Sequence, residues 1–405
     1  MTPEIKGFLL VSAAKVLGVF TIVMLSVTWA TYLERRIAGW VQDRMGPNRV
    51  GPKGLFQPLA DGLKNFMKEE TLPAAANRGL FLMAPALSFV PALLSFAVIP
   101  LGSPLPLHFD FSLPLLGRFV HDGPVSLAAA DLPVGFLYIL AITSMGVYGI
   151  VLAGWASNSK YSLLGGLRSS AQMISYEIAM GMSAVALLLV AGNVTLSEIV
   201  ARQQASLPFI LPLTIAFFLF IVAAFAETNR LPFDLPEAES ELIAGYHAEY
   251  SSMKFSLFFI AEYASLITAS ALLATLFLGG WDIPFWTRDD AGPWTWWLSL
   301  LTFGSFAVKT FVFVFIYMWV RWTLPRFRYD QLMALGWQVM LPLALCYVVV
   351  MAGAVYLLEA VLKVPFGRGY ALILFGVNVV TAVLLFGVLD RGRVITGVAE
   401  PESTR

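Results

Sequence analysis

Residues 253–279 read MKFSLFFIAEYASLITASALLATLFLG, an apolar run interrupted by two charged side chains, Lys254 at its edge and Glu262 inside it. About 20 mainly apolar residues wound as a helix cross the ~30 Å of bilayer hydrocarbon, so this run is long enough to span a membrane. A helix is required there because, without water, every backbone N–H and C=O must find its partner inside the segment. Glu262 lies about nine residues into the run, roughly 14 Å deep at 1.5 Å per residue, near the bilayer centre. An ionisable group at that depth costs at least about 2.5–3.5 kcal/mol, so it must face protein or water rather than lipid.

Outward from this run, eight others of the same kind follow: 7–33, 80–101, 133–155, 173–191, 207–226, 297–320, 337–361 and 370–389. The expected fold is an all-α integral membrane protein of about nine transmembrane helices, one polytopic domain over 1–405, with short amphipathic interfacial helices in its loops. Composition agrees: hydrophobic residues are 58% and charged ones 13% of 405 positions, against about 45–50% and 25% in soluble domains. The run 7–33 is longer than the apolar core of a signal peptide and is followed by Glu34-Arg35-Arg36, so it reads as the first span.

Several function classes drop out. Lys plus Arg equals Asp plus Glu at 26 each, so no net basicity points to nucleic acid. The one cysteine, Cys346, excludes a disulfide framework and cannot hold an iron–sulfur cluster, which needs about four thiolates. His108, His121 and His247 all lie outside the apolar runs, which removes bis-histidine haem ligation. No metal, cofactor or redox centre of its own is expected, and no catalytic residue in the enzymatic sense.

The remaining information is in where the charges fall. Alternate loops and the tail from Asp390 carry 17 Lys and Arg, against six in the N-terminus and the other loops. The positive-inside rule then puts the N-terminus outside and the C-terminus in the cytoplasm. The first inside loop, 34–79, contains Gly-Pro turns and then Leu55, Leu59, Leu63 and Phe66 at three-to-four spacing. That is either a short amphipathic helix lying in the interface and walling a cavity or a solvated basic loop.

The third inside loop, 227–252, inverts the rule. It holds Glu227, Asp234, Glu237, Glu239, Glu241 and Glu249 against a single Arg230. Crowded carboxylates repel when ionised, so some should hold protons near neutral pH and share or relay them; a solvated acidic surface meeting basic partner subunits is the other reading. Glu177 lies about one turn inside the fourth span, Glu227 ends the fifth, and Glu262 and Lys309 sit at comparable depth in the sixth and seventh. On facing helices the acids would form an inward polar path; singly, each could be a neutral hydrogen-bonded staple. A Glu262–Lys309 pair is one possible arrangement. Lys15, near the outer end of span one, is expected to snorkel.

Several strings are more specific than any of these patterns: ERRIAGWVQDRMGPNRVGPKGLFQPLADGLK (34–64), GWASNSKYSLLGGLRSSAQMISYE (154–177), AETNRLPFDLPEAESELIAGYHAEYS (226–251), FFIAEYA (258–264) and RWTLPRFRYDQLM (321–333). In this order they resemble the quinone-site membrane subunit, the H subunit in bacteria, of proton-pumping NADH:quinone oxidoreductase, respiratory complex I. The resemblance covers about residues 7–362. It implies that Arg35, Arg36 and Asp61 line a chamber for the quinone head, shared with two hydrophilic subunits and reached from the membrane near the first span. It implies a proton path through Glu177, Glu227, Asp234, Glu237, Glu239, Glu241, Glu249 and Glu262. Arg168, Arg321, Arg326 and Arg328 match basic residues that hold these loops together, and Lys309 is a further supporting cation.

The expected function is therefore to form part of the quinone-binding chamber and couple quinone reduction to proton translocation in a bacterial cytoplasmic (inner) membrane. Quinone would be substrate, with iron–sulfur clusters and FMN in partner subunits and small membrane subunits alongside. Two rivals share some features. The related membrane subunit of an energy-converting hydrogenase or deazaflavin-type dehydrogenase need not bind quinone, and the unbroken ETNRLPFDLPEAESEL and PRFRYDQLM strings argue against it. A stand-alone proton-coupled secondary transporter predicts paired broken helices and two-fold internal similarity, which the sequence does not display.

Overall fold

The computed structural model describes residues 2–113, 117–236, 238–284, 286, 288 and 292–389. Helix α1 runs unbroken from Pro3 to Val41, since no proline intervenes between Pro3 and Pro47. Its 39 residues make a rod of about 58 Å, nearly twice the hydrocarbon thickness. The expected boundary at residue 33 is thus passed, and Glu34, Arg35 and Arg36 are helical. Helix α2, Gln57–Met67, has no buried residue; Leu59, Leu63, Phe66 and Met67 all stand exposed, an apolar face suited to the membrane interface.

Between α3 (Arg78–Ser95) and α4 (Gly135–Ala156) lies an element the all-α expectation did not include. Strands β1 (Leu105–Leu113) and β2 (Gly117–Val125) form an antiparallel hairpin with Leu105 opposite Val125. Asp110 and Arg118 pair across it, and Phe111 stacks on Phe119 with centroids 5.4 Å apart. The hairpin lies directly on the first turns of α1: a Cβ at Gly7 would fall 2.0 Å from the carbonyl oxygen of Val120.

Helix α5 begins at Lys160 and ends at Ala191, so it starts more than three turns before the expected boundary at 173, and Arg168 and Gln172 lie on it. Gly165 allows the third loop to press against this extension, since a Cβ there would come within 2.7 Å of Gly245 Cα and Tyr246 N. After the short α6 (Leu196–Gln204), the predicted fifth span is helical only as α7, Thr214–Glu227. Pro208 and Pro212 remove backbone donors ahead of it. Fourteen residues reach about 21 Å, so residues 207–213 complete the distance as turns. That irregular backbone is tolerable because it is buried in protein: Phe209 N donates to Gln203 Oε1 at 3.1 Å, and Ile210 N to Phe277 O at 2.9 Å.

A four-residue helix, α8 (Glu239–Leu242), precedes α9 (Ser252–Phe277) and α10 (Trp296–Thr323). Helix α11 (Tyr329–Ala334) passes through a π-helical turn into α12 (Leu341–Tyr356), and α13 (Arg368–Leu389) closes the described chain. Among the described residues eight helices are long and apolar enough to cross a membrane, with α7 as a shorter apolar ninth. The chain is a multi-pass membrane protein. The tail from Asp390 lies outside the described residues.

Candidate functional site

The side chains that matter converge where α1, α9 and α10 meet the segment after α7. Glu34 occupies the buried stripe of α1 that also contains Val23, Val27, Ala30 and Ile37. Both of its carboxylate oxygens are engaged. Arg230 Nη1 lies 2.9 Å from Oε2 and 3.2 Å from Oε1, Tyr263 Oη donates to Oε2 at 2.6 Å, and Arg321 Nη1 donates to Oε1. Arg230, only 2% exposed, reaches a second acid with Nε 2.5 Å from Glu262 Oε1. Its guanidinium lies over the Tyr263 ring, 4.2 Å from the centroid, a favourable cation–π arrangement.

Burial alone would drive Arg230 toward deprotonation; the carboxylates of Glu262 and Glu34 outweigh that and hold it well above its ordinary pKa. Buried charges are tolerated only when so compensated. Next to this core, Arg326 Nη2 pairs with Asp234 Oδ2 at 3.1 Å. Burial pushes the Asp234 carboxyl up to about 6, against the pull of Arg326 and with a further push from Glu262.

Inward, Glu262 and Glu227 line one cavity of about 70 Å³ together with Ser88, Thr143, Asn229 and Ser265, space for roughly two waters at ~30 Å³ each. A second cavity of about 30 Å³ lies beside Glu227, lined by Thr143, Ser265 and Thr268. Beyond it, Glu177 accepts a hydrogen bond from Ser144 Oγ and is a charge neighbour of Glu227. Glu262, Glu227 and Glu177 thus follow one another through polar space. The largest cavity, about 820 Å³ among α7, α10, α12 and α13, is lined almost wholly by apolar side chains and holds none of these acids. An apolar groove of about 390 Å³ between α1 and α10 ends at Leu33, adjacent to Glu34.

The other predicted residues fall elsewhere. Arg35 pairs with Asp61 of α2 at 2.6 Å, half exposed, and Arg36 Nη2 donates to Lys53 O at 2.7 Å; these three form a separate cluster on the first loop. Arg168 pairs with Glu241 at 2.7 Å and lies over the Tyr329 ring, tying α5 to two loops. Arg328 pairs with Asp330 at the surface. Glu249 is half-buried and forms no ion pair among the described residues. Glu237 lies outside the described residues, and Glu239 is placed only as a residue of α8.

The Glu262–Lys309 pair does not form. Lys309 Nζ donates to the carbonyls of Leu278, Gly280 and Asp282 at 2.6, 3.0 and 2.5 Å, just past the C-terminal end of α9, where unsatisfied carbonyls and the helix dipole favour a cation. Leu278 is sixteen positions from Glu262, about 24 Å along a helix, too far for one ammonium to serve both.

A family model described as NADH dehydrogenase matches residues 14–352. The chain belongs to the NADH dehydrogenase family. That family match takes in every residue discussed above and stops before α13. Among similar proteins, one of the two H subunits of NADH-quinone oxidoreductase in Koribacter versatilis, numbered 2, is 49% identical over 365 residues, 86% of this chain and 98% of its own. The H subunit numbered 1 of Cytophaga hutchinsonii is 46% identical over 350 residues, with the same two coverages, and that numbered 1 of Geobacter sulfurreducens is 50% identical over 337, covering 83% and 92%. Glu34 is the central acid of this NADH dehydrogenase family member by geometry, and sequence reading did not single it out.

Proposed function

We propose that the chain is the quinone-site membrane subunit of an NADH-quinone oxidoreductase and couples quinone reduction to proton translocation. The reading rests on the family membership and on one geometric observation: Glu262 and Glu227 face the same small polar cavity, with Glu34, Arg230 and Asp234 at one end and Glu177 at the other. A charge change near the Glu34–Arg230 end alters the field on each carboxylate in turn, and that field sets how tightly each holds its proton. The groove ending at Leu33 suits the isoprenoid tail of a quinone, with Arg35, Arg36 and Asp61 at the head-group side. Electrons arrive from an iron–sulfur cluster in a partner subunit, fed through FMN, while hydrophilic subunits close the chamber and small membrane subunits continue the path. The N-terminus lies outside a bacterial inner membrane and the C-terminus inside, as the 17-to-six charge bias favours.

The test is Glu227→Gln in the intact complex reconstituted in vesicles. We expect NADH oxidation by an artificial acceptor at the partner arm to stay at the wild-type level while quinone reduction linked to proton uptake falls by about tenfold or more. Wild-type coupled turnover in that variant would count against the path.

A further inference from the structure

Helix α7 carries Glu227 on its last turn, and the nine residues after it carry Arg230 and Asp234. One fully buried side chain on another helix holds this whole stretch. Gln172 of α5 is 0% exposed, and its amide nitrogen lies 2.8 Å from Ala226 O, 3.0 Å from Asn229 Oδ1 and 2.8 Å from Phe233 O. Two N–H groups shared among three acceptors make a three-centred arrangement. Because two of the partners are backbone carbonyls, the nitrogen end of the amide must face them. Asn229 extends the hold by donating to Ser169 Oγ, back on α5, at 3.1 Å.

We infer that Gln172 is a positioning residue: it fixes Glu227, through the carbonyl of the preceding residue, and Arg230, through the turn on either side of it, relative to Glu177 five positions along its own helix. The inference rests on the proton-path reading above and adds to it the part that sets the spacing of the acids. Its three acceptors bracket the 226–233 segment, so removing the donor frees the end of α7 and the arginine turn together. Neither the acids nor Gln172 needs to touch substrate for this to matter, because displacement of a reacting group by about 1 Å can cost on the order of a hundredfold in rate. Burial of an amide with one unmet partner set is costly, which argues against Gln172 being an incidental core residue.

The experiment compares Gln172→Met, Gln172→Glu and Asn229→Gly with Glu227→Gln in the intact complex in vesicles. Quinone turnover and proton uptake are followed across pH, and artificial-acceptor activity serves as the assembly control. Gln172→Met keeps the side-chain length without a donor, and its coupled turnover should fall by about tenfold at unchanged acceptor activity. Gln172→Glu donates a single hydrogen bond when protonated and, when ionised, sets a carboxylate against three oxygens. Its coupled turnover should recover toward acid pH and collapse toward alkaline pH, a dependence that a purely packing role would not create. The ionisable groups around it are Arg168, Tyr176 and Glu177 on α5, Glu227, Arg230 and Asp234 on the held segment, and Tyr246 and His247 on the turn packed against α5, so its profile is read against that of the wild type. Asn229→Gly keeps the left-handed backbone (φ 50°) and loses one contact, so its effect should be smaller; it serves as the readout should Gln172→Met fail to assemble. If Glu227→Gln loses coupling while the Gln172 and Asn229 variants match the wild type in rate and pH profile, the positioning role is wrong and the path stands. If Glu227→Gln is itself unimpaired, both fall.

Discussion

Two clusters of arginine and carboxylate sit close together in sequence and differ in almost every physical respect. Arg35 and Asp61 meet at 2.6 Å with half or a quarter of each side chain in solvent, beside a helix whose apolar face is exposed. Glu34, one residue earlier, meets Arg230 at 2.9 Å with both side chains at least 95% buried. The first pair is a solvated contact of the kind worth about 0–1 kcal/mol. The second is an enclosed network in which each charge depends on the others, because a buried ion without its partner is far more costly than the pair. Proximity in sequence is therefore a poor guide here; the turn of α1 decides which neighbour is interior.

That contrast can be broken most severely at Arg230. Arg230→Met leaves Glu34 and Glu262 without their shared cation and should destabilise the assembled protein by about 3–5 kcal/mol, read as a lowered thermal midpoint or as lost assembly. Pairing it with Glu262→Gln should recover part of the loss, and a double variant no better than the single would contradict the shared-cation geometry.

An intermediate effect is expected at Asp234, which joins the two environments. Its folded pKa of about 6 stands above the ordinary 3.8, so its contribution to stability is present below about 3.8 and is lost as pH rises through about 6. At 1.36 kcal/mol per pKa unit the total is at most about 3 kcal/mol. Asp234→Asn should flatten that part of the stability-versus-pH curve; an unchanged slope between pH 4 and 6 would mean the carboxyl is better solvated than its surroundings suggest. The smallest change in stability should come from Asp61→Ala, under about 1 kcal/mol, while quinone turnover drops if the half-exposed cluster contacts the head group. Wild-type turnover in Asp61→Ala would confine function to the buried cluster.

Most of the fold was legible because apolar run length is a direct consequence of bilayer thickness, and every predicted span contains helix. The failures have local causes. The hairpin was visible as strict alternation in LPLHFDFSL, 105–113, a period-two signal overlooked beside the spans. The shortened α7 follows from Pro208 and Pro212 within a run that hydropathy alone counts as continuous. Glu34 could have been found by extending the Val23, Val27, Ala30 spacing one more turn, which places it on the buried face and Arg35 and Arg36 off it. The pairing of Glu262 with Arg230 rather than Lys309 was not legible, since depth in the bilayer does not fix which helix end a long side chain caps. The acidic loop separated into interior members, Glu227 and Asp234, and more exposed ones, Glu241 and Glu249, a division set by the buried turn that Gln172 holds.

The central claim is that carboxylates in the shared cavity exchange protons when quinone is reduced, and infrared difference spectroscopy of the intact complex tests it most directly. The account predicts a carboxyl C=O band that changes on quinone reduction, is lost in Glu227→Gln and persists in Glu249→Gln. A reduction-induced spectrum with no carboxyl change, or one unaffected by Glu227→Gln, would contradict it.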